Sequence, residues 1–153
     1  VQCAPLSCRS WRALTHAPVL LAAVTDSATW STYKDAATST AGAGLGFVLS
    51  DVDDIVCIDL DHRLNPLTGR LTPWAAAIVR DAGTAYVEVS PSGDGLHIWG
   101  RADVRQGHCI RRPDGTAVEI YGTGRSIAMT GRRHGSCPSI LADISAVVNT
   151  LTA

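Results

Sequence analysis

The chain has 153 residues, is 46% hydrophobic and 18% charged, and carries a net charge of −1. This composition excludes a disordered tail or solvated linker, and the balanced charge excludes a protein that holds nucleic acid through a globally basic surface. The length suits a single domain over residues 1–153, of a size that buries roughly 70% of the surface its unfolded chain exposes.

Residues 1–10 read as loosely structured. The apolar run 17–24 is far too short to span a membrane, so no membrane partner is expected. Arg9 and Arg12 precede it as they would in a signal peptide, but a turn and folded-looking sequence follow at once. Thr25-Asp26-Ser27 can cap a short helix, and Trp30, Tyr33 and Ala37 give residues 29–37 a helical spacing. A small-residue loop at 39–44 leads into short buried strands at 45–49 and 55–60. Asn65-Pro66 and Thr68-Gly69 mark a loop. Pro73 opens a helix over 74–80 that ends near Gly83. Strands follow at 86–89 and 96–99, on either side of the turn 90–95. Residues 117–121 and 126–129 read as a hairpin across Gly122-Thr123-Gly124, and a last helix is expected over about 138–150. Adjacent pairs of strands outnumber the helices, which predicts an α+β layered fold with a largely antiparallel sheet.

The cysteines, Cys3, Cys8, Cys57, Cys109 and Cys137, form no C-x-x-C pair, and their odd number reads as reduced thiols in a cytoplasmic protein. His108, Cys109, His134 and Cys137 match no standard zinc spacing and read as loop residues.

The segment Ile55-Val56-Cys57-Ile58-Asp59-Leu60-Asp61-His62 is the most informative. Side chains alternate along a strand, so Asp59 and Asp61 point one way and Leu60 the other. Two carboxylates held together repel, and a divalent cation resolves the conflict. Oxygen ligands of this kind favour Mg2+ or Mn2+. Aspartates are also common where a strand simply runs into solvent. Glu119, alone between apolar neighbours in Val118-Glu119-Ile120-Tyr121, becomes a third carboxylate only if its strand neighbours that of Asp59.

In Ser90-Pro91-Ser92-Gly93-Asp94-Gly95-Leu96-His97, Gly93 and Gly95 allow close backbone approach, and Ser92 adds a hydroxyl. Amides in such a turn can form an anion-binding nest, and His97 on the outgoing strand can donate to a phosphate. The plainer alternative is a tight hairpin with a half-buried histidine. Ala41-Gly42-Ala43-Gly44-Leu45-Gly46 lacks the dinucleotide-binding order and precedes its strand. Charge is uneven: five aspartates crowd 51–61 without a Lys or Arg, whereas 101–133 holds seven arginines. An acidic knot beside an arginine-rich segment suits a metal site that meets phosphates.

Taken in order, ATWSTYKDA, GLGFVL, CIDLDH, VEVSPSGDGLHI, VEIYGTGR and MTG resemble the primase–polymerase branch of the archaeo-eukaryotic primase superfamily, over about residues 28–131. The resemblance implies a catalytic sheet similar to an RNA-recognition fold, with flanking helices. It places Asp59, Asp61 and Glu119 as metal ligands and His97 against the triphosphate of an incoming nucleotide. It implies templated nucleotidyl transfer on single-stranded or primed DNA from nucleoside triphosphates, with Mg2+ or Mn2+, and fusion or partnership with a helicase in phages, plasmids and other mobile elements. Arg125 is a further triphosphate contact beside Ser92, Gly93 and Gly95, because a return turn at 122–124 brings it toward Glu119. Arg132 and Arg133 are secondary candidates for the nucleic-acid backbone. The run 14–24 is more apolar than an entrance for polyanions should be, and no helicase, zinc or helical primase module accompanies the motifs. Two alternatives stand: a metal-dependent nuclease using Tyr121, which His97-Ile98-Trp99 disfavours by supplying one histidine, and a non-catalytic nucleic-acid-binding module, which needs more exposed aromatics than this chain offers.

Overall fold

The structure, a computed structural model, describes residues 11–13, 23–39, 44–111 and 116–153. The run 17–22 and the expected loose segment 1–10 lie outside these residues. No helix among the described residues is long and apolar enough to cross a membrane.

Among the described residues, two sheets and three α-helices form an α+β fold. The strands are β1 (Trp11–Ala13), β2 (Leu45–Leu49), β3 (Ile55–Leu60), β4 (Tyr86–Val89), β5 (Leu96–Arg101), β6 (His108–Arg111), β7 (Ala117–Tyr121), β8 (Arg125–Met129) and β9 (Ala142–Asp143). The helices are α1 (Tyr33–Thr38), α2 (Pro73–Asp81) and α3 (Ser145–Thr152). A six-stranded sheet includes the path β4-β5-β3-β7-β6, and a three-stranded sheet runs β1-β2-β8. Every pairing is antiparallel except β9, which adds in parallel to β5.

The alternation of β3 sets the layers. Val56, Ile58 and Leu60 join Leu96, Ile98, Val118 and Ile120 on one face, packed against Ala75 and Ile78 of α2 and Val147 and Val148 of α3. Thr72 caps α2 by accepting from Ala75 N, and Pro73 sits in its first turn, where a missing N–H costs nothing. The other face is apolar only at one end, where Ile55, Cys57 and Trp99 pack against Phe47, Leu49 and Ile127 of the small sheet.

Four expectations need correction. The segments 117–121 and 125–129 are not a hairpin, because β8 pairs with β2 in the other sheet. Gly124, at φ +68°, donates its N–H to Leu49 O, so the turn is tied to the end of β2 and the chain changes sheets there. The last helix does not start at 138: Tyr86 N donates to Ile140 O, β9 pairs with Gly100 and Arg101, and α3 begins only where the Asp143 carboxylate accepts from Ser145 N. Backbone groups of this segment are thus spent on the sheet edge. His108 and Cys109 lie not in a loop but on edge strand β6. The single helix expected over 29–37 is a 3-10 turn at Ser27–Thr29, capped by Asp26, followed by α1, capped by Thr32.

Candidate active site

One row of side chains crosses the large sheet. The register pairs Glu88 with His97, His97 with Asp59, and Asp59 with Glu119. Residues directly opposite on antiparallel strands share a face with Cβ atoms about 4.5–5.5 Å apart. Glu119 therefore neighbours Asp59 although 60 positions separate them in the chain. Asp61 follows in the exposed turn just past β3, where its charge acts on Asp59.

Asp59 is the electrostatic centre of the row. Burial pushes its carboxyl up to about 6; His97 and Arg125 pull it down, while Asp61 and Glu119 add to the rise. Its Oδ1 is buried and accepts no hydrogen bond, and His97 Nε2 stands 3.7 Å away. A buried acceptor without a donor costs about 1–3 kcal/mol.

Glu119 Oε2 accepts from Tyr121 Oη at 2.5 Å, and that hydroxyl accepts from Arg125 Nη2 at 2.7 Å. The guanidinium carbon lies 4.5 Å from the centre of the Tyr121 ring. Arg125 thus reaches the row through Tyr121, even though the hairpin expected to bring it there does not form. Burial, then the bond to Glu119, raises the Tyr121 phenol.

His97 is buried, with 5% of its surface exposed, rather than displayed on an open cleft. Its Nδ1 lies 3.3 Å from Glu88 Oε1. Glu88, which sequence reasoning passed over, is wholly buried. Burial alone would raise its carboxyl, but hydrogen bonds from His97, Gly131 and Tyr86 outweigh that and hold it below the ordinary glutamate range. Its only signal in the sequence is a charge between Val87 and Val89, the same signal that singled out Glu119.

The turn after β4 differs from the expected nest. Gly93, at φ +87°, donates its N–H to Ser90 O, and Ser92 Oγ donates to Asp94 Oδ1 at 2.6 Å. Asp94 also meets His62 Nδ1 at 2.6 Å, which raises the His62 pKa. Gly95 serves close approach: a Cβ there would sit 2.7 Å from Ser90 Oγ and 3.0 Å from Leu60 O. The turn is thereby pressed against the backbone that leads into Asp61. Arg132 is turned to this loop and donates to Ser90 O at 2.5 Å.

Among the described residues, no group of three or more His, Cys, Asp or Glu side chains is placed to hold a metal ion. Asp61 lies beyond the strand end, and Glu119 is drawn to Tyr121. The donor set still fits a hard divalent cation, because Asp59 combines an orphaned oxygen with two repelling carboxylate neighbours. His108, Cys109, His134 and Cys137 form no zinc site: Cys137 Sγ instead donates to Val87 O and accepts from Val87 N.

Fold and row together define an α+β domain whose main sheet is apolar on one face and carries an ionisable band on the other. The chain is 41% identical over 90 residues to the DNA Primase-polymerase of Nitratiruptor phage NrS-1, a match that covers 58% of this chain and 12% of that protein. This likeness supports a primase–polymerase domain here. No protein-family model matches the chain.

Proposed function

We propose that this domain catalyses DNA-directed nucleotidyl transfer, extending or starting a primer from nucleoside triphosphates. The observation that carries the reading is the row Asp59–Glu119–His97, which gathers two carboxylates and an imidazole from three strands onto one sheet face. The named activity of the phage relative supports it. So does the chemistry of Asp59, a carboxylate whose raised pKa and unpaired oxygen both favour a cation.

In this reading Asp59, Asp61 and Glu119 hold Mg2+ or Mn2+. When bound, such ions activate an attacking hydroxyl and stabilise charge on the transferred phosphoryl group, classically as a pair. Tyr121 holds one oxygen of Glu119, and in this reading the other serves the ion. His97 and Arg125 bind and orient the triphosphate from opposite sides of Asp59. The turn carrying Ser92, Gly93 and Gly95 forms the wall beside Asp61. A primer 3′-hydroxyl attacks the α-phosphorus, the new P–O bond forms and pyrophosphate leaves. Single-stranded or primed DNA is the template, and a helicase domain or subunit is the natural partner.

The nuclease alternative gains nothing from the structure. The position two residues beyond His97 on the same face is Trp99, packed in the apolar cluster.

The test is primer extension by the purified domain with Mn2+ or Mg2+. Asp59→Ala and Asp61→Ala should each reduce extension by at least roughly 100-fold, the scale of losing a transition-state stabiliser, with the fold kept. Absence of both extension and triphosphate binding by the native domain with either metal would overturn the reading.

A further inference from the structure

Glu88 is a costly residue to bury. A carboxylate withdrawn from water is tolerated only when its oxygens are matched by donors. Here Oε1 faces His97 Nδ1 at 3.3 Å and Trp99 Nε1 at 3.4 Å. Oε2 accepts from Tyr86 Oη at 3.1 Å, Thr130 N at 3.2 Å and Gly131 N at 2.9 Å. An ionised carboxylate offers about four lone-pair positions, so the group is saturated. Trp99 Nε1 and the two backbone amides can only donate, so the oxygens they face must accept. The donors around it hold Glu88 below the ordinary glutamate range, and an ionised Oε1 can only accept, so Nδ1 is the donor across this contact.

The far nitrogen, Nε2, points to Asp59 Oδ1 at 3.7 Å. Trp99 closes a second side of the imidazole edge-on, with ring centres 6.3 Å apart and planes at 88°. Glu88 is itself anchored from outside its strand. Thr130 and Gly131 follow β8, and Thr130 Oγ1 also donates to Val89 O at 2.6 Å. The segments VEVSPSGDGLHI and MTG therefore make one device: the second grips the carboxylate through which the first holds its histidine.

We propose that Glu88, clamped by Thr130 and Gly131, is a positioning residue that fixes the rotamer and tautomer of His97, so that Nε2 faces Asp59 and the triphosphate. The last clause rests on the nucleotidyl-transfer reading; the hold on the ring does not.

The test uses the intact chain labelled with 15N-histidine, the His97 signals being assigned by their loss in His97→Ala. In the native protein Nδ1 should appear protonated. In Glu88→Gln the amide oxygen can serve the Thr130 and Gly131 donors only by turning its NH2 toward His97. Nδ1 then becomes an acceptor, and the proton moves to Nε2. Binding of dATP with Mn2+ should weaken about 10- to 100-fold, the range seen when the partner orienting a site histidine is removed. His97→Ala/Glu88→Gln should bind dATP within about twofold of His97→Ala, because the two act through one group. Unchanged imidazole signals in Glu88→Gln, or additive losses in the double variant, would overturn the proposal. If Glu88→Gln does not fold, Tyr86→Phe removes one donor to Glu88 Oε2 and leaves the charge. It should shift the Nδ1 signal and weaken dATP binding in the same direction, and no change in either would count against the hold of Glu88 on the ring. Failure of the native protein to bind dATP with Mn2+ or Mg2+ would remove the nucleotidyl-transfer reading, while the imidazole spectra would still decide whether Glu88 holds the ring.

Discussion

Two neighbouring rows on the same sheet face have opposite characters. Tyr86, Trp99, Cys57 and Tyr121 form one row across β4, β5, β3 and β7; Glu88, His97, Asp59 and Glu119 form the next, two residues along each strand. The first is roofed by Phe47 and Ile127 of the small sheet, and its Cys57 thiol is pushed well up, by burial first and by Asp59 and Glu88 after. Among the described residues the second is covered unevenly: Glu88 and His97 are buried, whereas Asp59 and Glu119 are only partly covered. Strand alternation puts both rows on one face, but the reach of the small sheet decides which becomes core and which becomes site.

Removing the roofed row should have the largest effect. Trp99→Ala deletes a side chain only 2% exposed, together with the indole donor to Glu88, and should cost about 3–5 kcal/mol in urea unfolding. A loss below about 1 kcal/mol would show that this end of the face is not a packed core.

The open row should respond in the opposite sense. The folded pKa of Asp59, about 6, lies above the ordinary 3.8, so the folded state binds this proton more tightly than the unfolded chain does. Native stability therefore falls as pH rises from about 4 to about 6, and above that range the charged carboxylate withholds roughly 1–3 kcal/mol. Asp59→Asn should be more stable than the native protein by up to that amount at pH 7.5 and show no advantage at pH 4. Added Mn2+ should raise the Tm of the native protein and not that of Asp59→Asn. Equal stabilities at pH 7.5 would mean that Asp59 sits in a relaxed, water-like setting.

The smallest effect is expected at the rim, where Arg125 is exposed over Tyr121. Arg125→Ala should weaken binding of dATP with Mn2+ by roughly tenfold, the scale of one exposed charge-assisted contact. Unchanged dATP affinity would remove Arg125 from the triphosphate.

Much of the fold could be read from local pattern. The run Ile55-Val56-Cys57-Ile58 announces a buried strand, and Thr72-Pro73 announces the start of α2. The change of sheet at Gly124 could not be read, because Gly-Thr-Gly suits a hairpin equally well and the bond to Leu49 O that redirects it is remote. The start of α3 was misplaced for a similar reason, since pairing of Ala142 and Asp143 with β5 competes with helix formation.

For the candidate site the sequence by itself determined the side chains and their parity. Alternation puts Asp59 opposite to Leu60 and predicts Asp61 on its side only as far as the strand lasts, and Gly93, at φ +87°, marks a tight turn because other residues resist that geometry. Tertiary structure alone decided the rest. Register brought Glu119 beside Asp59, packing buried His97, and Thr130 and Gly131 turned Glu88 from an ordinary strand glutamate into a saturated internal carboxylate. The physical reason is range: alternation and turn propensity act over a few residues, whereas burial, charge repulsion and hydrogen-bond saturation depend on which distant strands the fold sets side by side.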